Sequence, residues 1–168
     1  IVRSKFFIKN SVFSRGLSDA IDVDFGKGVI EKSQFRRFGN DAIDVSGSEI
    51  SLQDISISDA GDKGISAGEN SNVKGDKIEI WHSNIAVASK DRSHIKLNDI
   101  KLNNVNIGFS SYQKKPEFGP GHISVHGLSH ERIRHLYLVE QNSEIFVDDR
   151  EILNKHPSIK KFLYPSKN

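Results

Sequence analysis

Apolar and polar residues alternate in short runs along this chain, and the runs return about every 22 residues. Phe7–Asp24 reads FIKNSVFSRGLSDAIDVD and Val29–Ser46 reads VIEKSQFRRFGNDAIDVS, an offset of 22 (29 − 7) that the pentad DAIDV keeps at Asp19–Val23 and Asp41–Val45. Ile50-Ser51-Leu52, Ile55-Ser56-Ile57, Ile78-Glu79-Ile80, Ile95-Lys96-Leu97 and Ile100-Lys101-Leu102 put apolar side chains two apart, the period of a strand. The i, i+3, i+4, i+7 spacing that a helical repeat needs is absent. A unit of this size cannot bury its apolar face alone, so the units must stack.

Three strands fit in each unit; Leu52, Ile57 and Ile65 mark them in the third, and Leu97, Leu102 and Ile107 in the fifth. Stacked in parallel, such units give an all-β fold, a right-handed parallel β-helix (solenoid) of about six coils, since parallel crossovers are nearly always right-handed. Ile21, Ile43, Ile65, Ile85 and Ile107, at steps of 22, 22, 20 and 22, are expected to form one inward column. Val23, Val45, Ala67, Val87 and Phe109 should form a second. The pattern S-x-[IV] at Ser48, Ser71, Ser93 and Ser143 opens strands, and Asn10, Lys32, Asp54, Lys77 and Asp99 should share an outer turn. In the tail, Ile159, Phe162 and Leu163 take helical spacing after Pro157. This predicts a β-helix domain over 1–150 and a short C-terminal capping segment over 151–168 that covers the last coil. No matching cap precedes Phe7 and the chain opens Ile-Val-Arg. N-terminal coils or a domain of the same protein are therefore expected before residue 1.

Composition narrows the function classes. Among 168 residues, 24 are basic and 22 acidic, a net charge of +2 that gives no strong attraction to nucleic acid or an anionic membrane. With no cysteine, disulfides and thiolate chemistry are excluded. No apolar run approaches the roughly 18 residues of a spanning helix, so no membrane insertion is expected. No G-x-S-x-G elbow surrounds a serine, and Gly26-Lys27-Gly28 lacks the spacing of a phosphate loop.

Two irregularities carry the candidate chemistry. The turn before the key isoleucine spans 8 residues from Phe35 to Ile43 and from Ile57 to Ile65, but 5 from Ile80 to Ile85 and from Leu102 to Ile107. Coils one to three should therefore carry a ledge with Asp19, Asp41, Asp62 and Lys63. Inward Ile21 and Val23 turn Asp22 and Asp24 outward, and Asp44 stacks on Asp22. Two carboxylates about 5 Å apart repel by roughly 1 kcal/mol in water and roughly 3 at an effective dielectric near 20. Solvation, a lysine such as Lys63 or Lys90, or calcium at Asp22, Asp24 and Asp44 would answer that repulsion. The second irregularity is an insertion of 6 residues within 112–121, where Tyr112 and Phe118 flank Lys114 and Lys115. Rings and cations together suit an acidic glycan. His122 and His126 share a strand face, and Trp81 stands alone in a turn.

These coils resemble the right-handed parallel β-helix repeat proteins, the superfamily of pectate lyases, polygalacturonases and carbohydrate-binding and sugar-hydrolase repeat domains. The likeness covers most of Phe7–Val147. It implies a polysaccharide partner and an extracellular, cell-surface or periplasmic location. Polygalacturonases carry Asp-Asp, then Gly-His-Gly, then Arg-Ile-Lys on successive coils. Here Asn40-Asp41, Gly61-Asp62-Lys63-Gly64 and Ala88-Ser89-Lys90 follow that order, with Asp41 and Lys90 at matching places. Asn40 replaces an acid, Lys63 replaces the histidine, and the arginine is absent. Other members of the superfamily, the lyases, use a Lys or Arg base with calcium on carboxylates. The expectation is a module that binds glycan or serves as a scaffold. The alternative is a lyase, hydrolase or epimerase-like enzyme on an acidic glycan, its catalytic candidates being Asp41, Asp44, Lys63 and Lys90. Asp19, Asp22, Asp24, Asp44, Lys63, Tyr112 and Lys114 are the candidate ligand contacts.

Overall fold

The computed structural model describes residues 1–163. Its elements are β1 (Lys5–Lys9), β2 (Val12–Gly16), β3 (Ile21–Asp24), β4 (Lys27–Phe38), β5 (Ile43–Ser46), β6 (Glu49–Ala60), β7 (Lys63–Gly68), β8 (Asn72–Trp81), β9 (Ile85–Lys90), β10 (His94–Tyr112), β11 (His122–Glu140), β12 (Glu144–Val147), β13 (Arg150–Glu151), β14 (Lys155–His156) and the one-turn helix α1 (Lys160–Leu163). The strands wind as a right-handed parallel solenoid of about six turns. Successive coils open at Lys5, Lys27, Glu49, Asn72, His94 and His122, each paired in parallel with the next.

Each coil bends three times, and left-handed residues stack at the bends. One corner is Asn10, Lys32, Asp54, Lys77 and Asp99, with φ between 46° and 58°. This is the expected outer turn. A second corner is Arg15, Arg37, Asp59, His82, Asn104 and Arg132, and a third is Arg3, Phe25, Gly47, Asn70 and Arg92. The corners divide the tube into three flanks: flank one from β1 and the strands over it, flank two from β2 and those over it, and flank three from β3, β5, β7, β9 and the ends of β10 and β11.

The serines that open strands have a structural reason. Ser48 Oγ accepts the amide of Gly26 at 2.9 Å, Ser71 Oγ that of Ser48 at 3.0 Å, and Ser93 Oγ that of Ser71 at 3.1 Å. Each buried hydroxyl thus satisfies a backbone donor of the preceding coil.

The inward columns differ from the sequence expectation at one step. Ile21, Ile43, Ile65, Val87 and Phe109 stack in register, while Ile85 pairs with Lys63 and with Ile107. The spacing therefore stays at 22 from Ile65 to Val87, and the second column runs Val23, Val45, Ala67, Ser89 and Ser111. The isoleucines at 85 and 107 imitate the repeat without sharing its register position. They join instead an apolar cluster with Ala88, Tyr112, Leu138, Ile159 and Leu163, separate from the tube interior. Counted to Val87, the turn after Ile80 is 7 residues against 8 in the coil before, so the ledge is one residue longer and not three.

The insertion falls where the sequence puts it: β10 and β11 pair at an offset of 28 rather than 22. The tail forms a helix, and its strand β14 pairs in parallel with the end of β11, Lys155 on Val139 and His156 on Glu140. Ile159 and Leu163 reach further and cluster with residues of coils four to six on flank three. The edge of β12 is met by β13, which pairs with it antiparallel.

Candidate functional site

The outward positions of flank three change character along the solenoid axis. Coil one presents Asp19, Asp22 and Asp24; coil two Asp41, Asp44 and Ser46; coil three Lys63, Ser66 and Gly68. Coils four and five present Ile85, Ala88, Lys90, Ile107, Ser110 and Tyr112. Charge gathers at one end and apolar surface at the other.

The turn carboxylates are used as caps between coils. Asp19 accepts the Asp41 amide at 2.8 Å and the Asn40 side chain at 2.7 Å, and Asp41 in turn accepts the Lys63 amide at 3.0 Å. Lys63 folds back over that carboxylate: its Nζ lies 3.4 Å from Asp41 and is also bonded by Asp62. Lys63 is only 5% exposed and Asp41 only 2%. Burial is the main force on Asp41 and pushes its carboxyl up to about 6, the Lys63 ammonium pulling the other way.

Lys90 lies one coil further on and also reaches back. Its stem crosses Gly68, where a Cβ would stand 2.9 Å from Lys90 Cε, and its Nζ donates to Ser66 Oγ at 2.7 Å and lies 3.6 Å from Asp44. A side chain at 68 would lift the lysine off the flank. Asp22 and Asp44 pair in register as expected. Burial, then Asp24, Asp44 and Asp19, hold the Asp22 carboxyl above its ordinary value.

The structure thus brings Asp41, Asp44, Lys63 and Lys90 together as two ion pairs on one flank. Asp62 of the expected ledge meets Lys63, and the structure adds Ser66, which the sequence does not mark as part of the charged cluster. Ser66 was findable as the residue 22 after Asp44, and Gly68 as the gap that admits Lys90. Asp22, Asp24 and Asp44 share one edge, yet among the described residues no group of three or more His, Asp or Glu side chains is arranged to hold a metal ion.

Tyr112 lies away from this cluster. Its ring is fully buried beneath the tail, because apolar Ala88, Leu138, Ile159 and Leu163 surround it. The inserted loop is pinned by Asp91, whose Oδ1 accepts the amides of Lys114 and Lys115, both at 2.7 Å. Lys115 pairs with Glu69, and Phe118 is half-buried. On flank one, His122 stacks on His94 with ring centroids 4.6 Å apart and meets Glu144 at 3.2 Å, while His126 approaches Asp148 and Asp149. Trp81 is half-buried on flank two.

The family described as the right-handed β-helix region matches residues 3–126. The chain belongs to that family. No curated protein and no solved structure matches it. Among the described residues no helix is long and apolar enough to cross a membrane.

Proposed function

We propose that the chain is a non-catalytic polysaccharide-binding module, or a surface scaffold bearing such a site, that acts outside the cell. The ligand lies against the charged half of flank three. One observation carries this reading: both lysines turn inward onto carboxylates and a hydroxyl, while Asp22 is exposed and Asp24 and Asp44 are partly so. A lysine that takes a proton from a sugar must be neutral and within reach of it. Here each ammonium is turned into the flank, Lys63 onto Asp41 and Lys90 onto Ser66 and Asp44, rather than toward a sugar. The outward carboxylates accept hydrogen bonds from sugar hydroxyls, or meet uronate through calcium. The test is calorimetric titration with neutral and acidic polysaccharides, with and without calcium. Asp22→Asn and Asp44→Asn should weaken binding of a polysaccharide that the parent holds. Equal affinity in parent and variants contradicts the site.

The enzyme reading keeps one observation in its favour. A buried carboxyl near 6 exchanges protons close to neutrality, and Asp41 is such a group beside Lys63. A screen for reducing ends and unsaturated products on acidic polysaccharides decides between them. Product that disappears in Asp41→Asn replaces the non-catalytic reading.

A further inference from the structure

The outer edge of flank two carries charge of the opposite sign. Arg15 and Arg37 take successive left-handed corner positions, with φ of 62° and 63°, and Arg36 stands beside them on β4. All three are exposed. They line an open cleft of about 470 Å³ with Ser14 and Ser58, and Asp59 forms part of its wall. Among the described residues no carboxylate is ion-paired with any of the three; Asp59 meets His82 at 3.3 Å instead, and Arg36 donates to Gln34. The same corner holds Asp59, His82, Asn104 and Arg132 further along, so the turn itself does not demand arginine. Two guanidinium groups one coil apart repel, and among the described residues no carboxylate within ion-pair distance offsets them. Ser14, Arg36, Ser58 and Trp81 then continue as one outward column across four coils.

We infer that this edge is a second ligand site, for the carboxylate or sulfate groups of an acidic polysaccharide. The three arginines take the anion and the half-buried Trp81 lies under a sugar ring further along the column. Arginine forks bind planar or tetrahedral oxyanions through paired N–H donors, and an indole offers a flat apolar face to a sugar. The inference rests on the polysaccharide reading and gives it a substrate class. It also separates the two flanks, because the carboxylates of flank three repel a polyanion unless calcium bridges them.

The experiment is calorimetry in chelator, so that calcium bridging is removed, with dextran sulfate, polygalacturonate, neutral dextran and a single-stranded oligonucleotide as probes. Arg15→Asn and Arg37→Asn combined with Arg36→Gln should weaken both acidic polysaccharides by about tenfold or more, the scale of charge-assisted hydrogen bonds. Because asparagine suits the corner, this triple variant should melt at or above the parent temperature, which a structural role for the arginines forbids. Trp81→Ala should weaken the polysaccharides several-fold and leave inorganic sulfate unaffected. Lys9→Gln with Lys32→Gln, outside this cleft, should change affinity less than about twofold. Unchanged affinity in the triple variant overturns the inference, as does neutral dextran bound as tightly as dextran sulfate. Tighter binding of the oligonucleotide also overturns it and assigns the cleft to nucleic acid. Binding of neutral glycan alone, lost in Asp22→Asn and Asp44→Asn, removes this site and keeps the module. Loss confined to the arginine variant does the reverse for flank three.

Discussion

The two halves of flank three share a backbone and differ in what covers them. In coils one to three the outward side chains are carboxylates, a lysine, serines and a glycine, and among the described residues the long stems of Lys63 and Lys90 lie over them. In coils four to six the same strand positions hold Ile85, Ala88, Ile107, Tyr112 and Leu138, and Ile159 and Leu163 of the tail cluster with them. A solenoid flank is therefore a neutral platform. Its outward residues decide whether it packs against its own chain or faces a ligand.

The comparison breaks first where both halves depend on one interior. Ile65 is fully buried in the inward column. Ile65→Asp should cost several kcal/mol, about 4 or more, by leaving a charge unpaired in the tube. Denaturant unfolding measures it, and a loss below about 1 kcal/mol contradicts the assigned column.

Lys63 marks a sharper difference. The sequence places it on an outward ledge, but it is buried on Asp41. Lys63→Met alone should cost about 3 kcal/mol at pH 7, because it strands a buried carboxylate. Lys63→Met with Asp41→Asn, whose uncharged Oδ1 still accepts the Lys63 amide, should recover most of that loss.

Asp41 also ties the charged half to pH. Its folded value of about 6 lies above the ordinary 3.8 of an aspartate, so the folded state holds the proton more tightly. The ionised form opposes folding, so stability is greatest below about 3.8 and falls as pH rises through 6. The shift corresponds to about 2 to 3 kcal/mol at 1.36 kcal/mol per unit. Asp22 moves in the same direction. His94, held below its ordinary value mainly by burial, works oppositely: stability rises with pH up to about 6.5. The difference between parent and Asp41→Asn isolates the Asp41 part; parallel stability curves for the two would refute it.

On the apolar half, Leu163→Ala should cost about 2 kcal/mol, at the low end for a buried leucine because the helix sits at the surface. It should leave polysaccharide affinity unchanged. The smallest effect belongs to Asp22→Asn, an exposed position where stability should move by no more than about 0.5 kcal/mol.

The class of fold was legible because the 22-residue offset, the alternation and the serines at strand starts act locally, each within one coil or between neighbours. The register error came from Ile85, whose side chain has the right chemistry for the interior and the wrong position. Only pairing with β7 distinguishes the two. The acidic column was legible too, since Asp22 and Asp44 are 22 apart. The burial of Lys63 and Tyr112 was not. It depends on Asp41 capping one coil and on a tail that returns to the flank from more than 40 residues away, and neither is encoded in the repeat.

The central claim is that the open, charged half of flank three holds polysaccharide and the covered half does not. Amide chemical-shift mapping with a series of neutral and uronic oligosaccharides, in the presence of calcium, tests it directly. The account predicts that, for a bound neutral sugar, shifts gather on residues 19–24, 40–46 and 61–66 and leave residues 85–88, 107–110 and 159–163 still. Shifts centred on flank one or on the tail cluster, with the acidic rows unmoved, would contradict it.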